Sequence, residues 1–259
     1  MSEPLRVVLI GSGPALTPLA EALLAEGTAV TVIAPELKNT GAAVLGDIAN
    51  DALVTADIVM TFDPPVASLK VARQVSPLLN PGAVYADFNP GTPDMKRRMA
   101  ELFPDGSFAE GTFTVVPELR ADVAGSGAPA VAELLTGVGV AVENTSEALG
   151  DAAAREILRG MLDKSLAAAV IDVLWAAESL GQKDWAYQQV LATFEASSAA
   201  TATGYLNGTA QHLKRRQMEM MDVVETMRET GYDSTLVAAI ETNYSRILHG
   251  KRVPFSKLK

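Results

Sequence analysis

The opening 35 residues constrain this chain most. Residues 5–10 (LRVVLI) form a short apolar run rich in β-branched side chains. Gly11-Ser12-Gly13 follows at once, then a helical pattern over 14–27, then a second β-branched run at 29–33. Strand, glycine turn, helix, strand is the opening unit of a dinucleotide-binding fold. Gly11 permits the tight turn off the strand, and Gly13 lets a pyrophosphate approach the backbone. The helix N-terminus brings unpaired N–H groups and the positive end of its dipole to the phosphates. The place of the usual third glycine holds Leu16, a position that serves helix–strand packing rather than phosphate contact. Pro14 suits a first helical turn but removes one donor. The same turn also fits an ordinary strand-to-helix connection with no nucleotide, and both readings stay open here.

Composition narrows the remaining classes. A chain of 259 residues that is 48% hydrophobic and 20% charged is globular and builds one large domain or two ordinary ones. A net charge of −10 argues against a nucleic-acid partner. With no cysteine, disulfides, thiolate nucleophiles and cysteine–zinc sites are excluded, and a cytoplasmic setting is expected. No basic segment followed by an apolar core opens the chain, and no apolar run reaches the length of a bilayer span, so no membrane is expected. The two histidines, His212 and His249, have no metal-ligand partners at helical spacing; His212 reads as an exposed helix start.

The first half keeps an α/β rhythm. Strands are expected at 56–62, 83–88, 107–110, 112–116, 122–126 and 138–143, with helices at 66–79, 94–102 and 128–135. Alternation of this kind predicts a largely parallel, doubly wound Rossmann-type sheet, in which ligands bind beyond the carboxyl ends of the strands. The loops that matter therefore start at Gly11, at Asp63 (after Phe62 and before Pro64) and at Asn89. After residue 149 the β-branched runs stop and alanine-rich helical periodicity takes over. Helices are expected at 152–180, 184–204, 209–230 and 234–248, with Gly181 and Gly231 as stops. The expected domains are 1–147, dinucleotide-binding, and 148–259, an all-α domain for substrate and dimerisation. The alanine-rich helices carry more apolar surface than one subunit covers, which predicts a homodimer through the helical domain.

At this point the chain resembles the β-hydroxyacid dehydrogenases, the superfamily of 6-phosphogluconate and 3-hydroxyisobutyrate dehydrogenases. Its C-terminal half looks like a bacterial branch described only as NAD(P)-dependent oxidoreductases with a helical domain of unknown function. The resemblance rests on VVLIGSGPAL (7–16), ADFNPGTP (86–93), EILRGMLDKSLA (156–167) and HLKRRQMEMMDVVETMRETG (212–231). It implies hydride transfer with NAD or NADP on a small substrate. Gly11, Ser12, Gly13, Pro14, Ala15, Leu16, Ala34, Glu36, Phe62, Asp63 and Pro64 are then the cofactor-binding residues. Glu36 near the end of the second strand leans the choice to NAD by offering a carboxylate to a ribose hydroxyl, while Lys38 leaves NADP open.

The implied catalytic residues depart from the pattern. Asp87, Asn89 and Pro93 fit the family's substrate loop, with Asn89 a candidate catalytic residue, but Pro90 stands where a substrate-contacting serine is usual. The long helix usually carries a lysine acid/base near its start; alignment puts Glu156 there and a second lysine at Lys164. Eight residues at 1.5 Å each set these two about 12 Å apart along the axis, so they are not interchangeable. A carboxylate at that place disfavours an anionic hydroxyacid and favours a cationic iminium or amine, or acts as an acid if burial raises its pKa. Reduction of C=N therefore joins C=O/CH–OH chemistry as a candidate. Glu156 paired with Arg159 or Arg155 on a solvated face is the plain alternative, as is a surface role for Lys164. Lys214-Arg215-Arg216 reads as a solvated face or a grip on an acidic group. A non-catalytic nucleotide-binding or regulatory dimer on the same fold is the second reading.

Overall fold

A computed structural model of the chain describes residues 4–34, 43–45, 50–115 and 118–256. It divides into two compact units, Met1–Gly160 and Met161–Lys259. The first unit carries β1 (Arg6–Gly11), α1 (Leu16–Ala25), β2 (Ala29–Ile33), β3 (Ala43–Leu45), α2 (Asn50–Val54), β4 (Ile58–Phe62), α3 (Pro65–Val75), β5 (Val84–Asp87), α4 (Pro93–Ala100), β6 (Phe108–Thr114), β7 (Arg120–Ala124), α5 (Ala128–Gly137) and β8 (Ala141–Ser146). The long helix α6 (Asp151–Ser179) begins in this unit and ends in the second.

The strands make one sheet in the order β3-β2-β1-β4-β5-β6-β7-β8, parallel throughout except for the antiparallel β6–β7 pair. Both faces are covered, and the strand sequences show why. In β1, Val7 and Leu9 point to a core built with Leu16, Leu19 and Leu23 of α1 and Val131 and Leu135 of α5. Val8 and Ile10 point the other way, to Leu53, Val71, Val75 and Met99 of α2, α3 and α4. A strand buried on both faces has no use for polar alternation, which is why these runs are continuously apolar. The expected doubly wound architecture is present. The chain runs outward from β1 to β3, then returns to the other side of β1 as β4, so the switch point lies between β1 and β4.

Several boundaries differ from the sequence expectations, each for a physical reason. The strands expected at 107–110 and 112–116 are one strand, β6. Gly111, between them, is a close approach within the strand: a Cβ there would lie 2.2 Å from the Phe88 ring. β7 and β8 each sit two or three residues from their expected places. The short β3 and α2 carry too few residues to show a period and were not anticipated.

The second unit is helical: the rest of α6, then α7 (Lys183–Glu195), α8 (Ala199–Thr230) and α9 (Thr235–Leu248). The helix expected at 184–204 instead ends at Glu195. Ser198 starts α8 with a reciprocal capping box to Thr201, and this local signal outweighs Gly204, which the helix simply absorbs. α8 kinks at His212, an exposed residue with non-helical backbone angles, so a new helical run does begin there. Asp172 of α6 ties this unit together, accepting hydrogen bonds from the Tyr232 hydroxyl and the Ser234 hydroxyl, both at 2.6 Å. Ser234 also caps α9 by accepting the Val237 N–H. Among the described residues, no helix is long and apolar enough to cross a membrane.

Candidate functional site

The glycine turn at the end of β1 packs directly on the end of β4. Gly11 has φ of +113°, and a Cβ there would lie 2.6 Å from the Phe62 carbonyl, so no other residue fits. The Phe62 oxygen accepts the N–H groups of both Ser12 and Gly13, at 3.2 and 3.1 Å. The two loops are thus stitched together at the switch point. A cavity of about 390 Å³ opens there, lined by Ser12–Ala15, Phe62–Pro64, Phe88, Pro90, Thr112, Phe113, Val115 and Glu156.

Aromatic rings form much of its wall. Phe62 stacks on Phe88 at 5.7 Å, and Phe113 lies 4.4 Å from Phe88 and 5.8 Å from Phe62. The charged residues lining the cavity are two carboxylates, Asp63 and Glu156, with no cation among them. Glu156 stands 3.6 Å from Arg159, which also reaches Asp122 at 2.8 Å, the Thr112 hydroxyl at 3.3 Å and Glu143 at 3.9 Å. One guanidinium thus serves three carboxylates, and little of its charge is left for the cavity.

Behind the wall lies a sealed polar network at the carboxyl ends of β4, β5 and β6. Lys96 of α4 is 1% exposed and donates to both Asp87 Oδ2 and the Asn89 carbonyl, the latter at 2.6 Å. Asn89 donates to Asp87 and Thr61, while its Oδ1 accepts the N–H of Asp63. Thr61 donates to Asp87 and accepts from the Tyr85 hydroxyl, whose pKa burial and the Asp87 charge push well up. Nearby, buried Glu110 accepts the Gly150 N–H at 2.6 Å and so holds the start of α6. Burial raises its pKa, while Lys96 and the N–H groups at the start of α6 pull it back. The Asp63 carboxyl is raised by burial first and by Asp87 second. A buried cation, fully paired, here fixes the loop that forms the cavity rim.

Three comparisons bear on this arrangement. Residues 177–247 match the family described as a domain of unknown function, DUF1932. The chain is 25% identical to a conserved hypothetical protein from Sinorhizobium meliloti, with a TM-score of 0.60 over 100% of this chain and 92% of that one. It is 23% identical to MTH1747, a conserved protein of unknown function described as structurally similar to 3-hydroxyacid dehydrogenases, with a TM-score of 0.60 over 95% of this chain and 97% of that one. An imine reductase from Myxococcus stipitatus in complex with NADP+ superposes with a TM-score of 0.75 at 16% identity, over 97% and 96% of the two chains. The fold is shared with MTH1747 and with that imine reductase.

Within that fold, the structure distributes the sequence candidates as follows. Ser12, Gly13, Pro14, Ala15, Phe62, Asp63, Pro64 and Glu156 line one cavity, with Gly11 at its base. Leu16 is wholly buried in the core beneath α1, filling the space a third glycine would leave. Ala34 is buried at the end of β2, and Glu36 lies outside the described residues. Asn89 is 1% exposed, with its side chain engaged by Asp63, Thr61 and Asp87. Lys164 belongs to the second unit and is exposed.

Sequence reasoning did not anticipate Phe88, Thr112 and Phe113 in the wall, nor Lys96 behind it. Phe88 sits inside the ADFNPGTP stretch and was available as a signal. Lys96 was hidden in the run Lys96-Arg97-Arg98, whose other members are solvated.

Gly13 is held so close to Phe62 that a Cβ would lie 3.2 Å from that of Phe62. The turn's donor set is thin, because two N–H groups are engaged by Phe62 and Pro14 has none. Ser12 lines the cavity beside them.

Proposed function

We propose that this chain is an NAD(P)-dependent oxidoreductase acting on a small C=O/CH–OH or C=N substrate, with C=N the better match to its site. The observation that carries this reading is the cavity at the switch point, joined to the glycine turn and lined by carboxylates and phenyl rings. A nicotinamide cofactor bound there supplies hydride; the chain's own residues supply position and proton traffic. Ring faces and the Glu156 carboxylate attract a protonated C=N group and repel the carboxylate of a hydroxyacid. Glu156, in the second turn of α6, takes the place of the lysine that the resemblance expects. As a carboxylate it orients a cationic nitrogen, and it is ill suited to polarise a developing carbonyl oxygen. Glu36 leans the cofactor choice to NAD. The imine reductase in complex with NADP+ supports a nicotinamide cofactor on this fold.

The partner is proposed to be a second copy of the chain. Met161, Leu162, Trp175, Trp185 and Phe194 are each more than half exposed in the helical unit, an apolar area that calls for cover. A second reading, a non-catalytic nucleotide-binding dimer, draws on the thin donor set of the glycine turn and on the Glu156–Arg159 pair. Cofactor titration followed by turnover on a panel of imines, ketones and β-hydroxyacids separates the two. Binding with imine turnover supports the enzyme, and binding with no turnover on any class supports the second reading.

A further inference from the structure

Asp63 sits where the two loops of the site meet, and no hydrogen bond or ion pair uses the free oxygen of its carboxylate. Its loop is bound to the glycine turn through the Phe62 carbonyl, and a Cβ at Gly11 would lie 3.0 Å from the Asp63 nitrogen. Its own N–H is fixed by Asn89. The carboxylate lines the cavity, yet its Oδ2 is buried with no hydrogen-bond partner among the described residues. An unanswered carboxylate oxygen in such a place is costly and calls for a partner or a proton. Asp87 and Tyr85 on β5 act on it directly and Glu156 on α6 lines the same cavity, while Lys96 on α4 is bound to Asp87 and Glu110 on β6 faces Lys96. Lys96 is closed onto Asp87 and the Asn89 carbonyl, and among the described residues no ion pair to Asp63 is formed. Burial and Asp87 both favour its neutral form. The adjacent anion cradle, meanwhile, lacks donors.

We propose, resting on the nicotinamide reading above, that Asp63 is a proton-linked gate on cofactor binding. In its neutral form it donates its O–H to a pyrophosphate oxygen settled at the glycine turn; in its ionised form it repels that pyrophosphate. Binding therefore takes up one proton from solvent at Asp63 and changes no covalent bond. The sign follows from linkage. The anionic ligand raises the Asp63 pKa further, so affinity is full below the pKa of the free protein and falls as pH rises toward the pKa in the complex. The slope approaches about tenfold per pH unit between the two and levels off above them.

The test is a fluorescence titration of the full chain with NADH and with NADPH from pH 4 to 8.5, beside Asp63→Asn. The wild-type Kd should rise with pH for both cofactors. Asp63→Asn should be flat for NADH, show only the 2′-phosphate's own titration for NADPH, and bind about tenfold tighter than wild type at pH 8. Equal slopes in the two proteins overturn the proposal. So does a wild-type affinity that rises with pH, which would make the carboxylate an acceptor for a ribose hydroxyl. If Asp63→Asn does not fold, calorimetry of the wild type in buffers of different ionisation enthalpy counts the protons directly. Net uptake supports the gate; none, or release, overturns it. Absence of saturable binding at every pH overturns the nicotinamide reading itself, and the gate with it.

Discussion

Lys96 and Trp175 are misplaced in opposite senses. The lysine, a cation, is 1% exposed inside the first unit; the tryptophan, a large apolar ring, is 57% exposed on the second. The first unit answers Lys96 locally and leaves Asp63 Oδ2 without a hydrogen-bond partner among the described residues. Lys96 has Asp87 and two carbonyls, and Glu110 has the N-terminus of α6. In the second unit the polar group is the one that is answered, since both oxygens of Asp172 are engaged by Tyr232 and Ser234. Its large apolar side chains are left in solvent. The oddity of the sheet unit is thus a cation drawn inward, and that of the helical unit an apolar surface left outward.

The largest effect should come from breaking the sealed network. Lys96→Met leaves Asp87 buried and unpaired, and should destabilise the first unit by about 3–5 kcal/mol in chemical denaturation. A loss below about 1 kcal/mol would mean that the network is not closed as described. Next in size is Gly13→Asp, which puts a carboxylate and a Cβ against Phe62 and the pyrophosphate path. It should weaken cofactor binding by about a hundredfold or more, near 2.7 kcal/mol, in calorimetry. Unchanged affinity would detach the glycine turn from nucleotide binding. The smallest effect sharpens the other half of the comparison. If the helical unit is completed by a second copy, each tenfold dilution should lower apparent stability by about 1.4 kcal/mol. A melting temperature independent of concentration, with a monomer mass by light scattering, would show that the exposed rings have no such partner.

The sequence revealed these two halves unequally. The doubly wound sheet was legible because strands buried on both faces advertise themselves as continuous apolar runs, as in residues 5–10 and 29–33. The cavity was legible in its near wall, since Gly11, Gly13 and Asp63 end strands on either side of the switch point. Its far wall was not. Phe113 lies on the same strand as Gly111, and that glycine reads locally as a break, when it is a seat for the Phe88 ring. Lys96 was not legible because burial of a charge depends on partners, Asp87 and Asn89, that are brought to it only by the fold. In the helical unit the mistaken boundary at 204 came from weighting a glycine over a capping box. A helix interior tolerates glycine at about 1 kcal/mol, while Ser198 and Thr201 satisfy two end donors at once.

The central claim is that a carboxylate-lined, phenyl-walled cavity on this fold selects C=N over hydroxyacid chemistry. It is tested most directly by cofactor-coupled kcat/KM for a cyclic imine and for a β-hydroxyacid, in the wild type and in Glu156→Lys. The account predicts imine reduction by the wild type with little hydroxyacid oxidation. In Glu156→Lys the preference should shift toward the hydroxyacid by about tenfold or more, within the 10²–10⁴-fold range that a placed acid/base group supplies. Efficient hydroxyacid oxidation by the wild type, unmoved by the Glu156→Lys change, would contradict it.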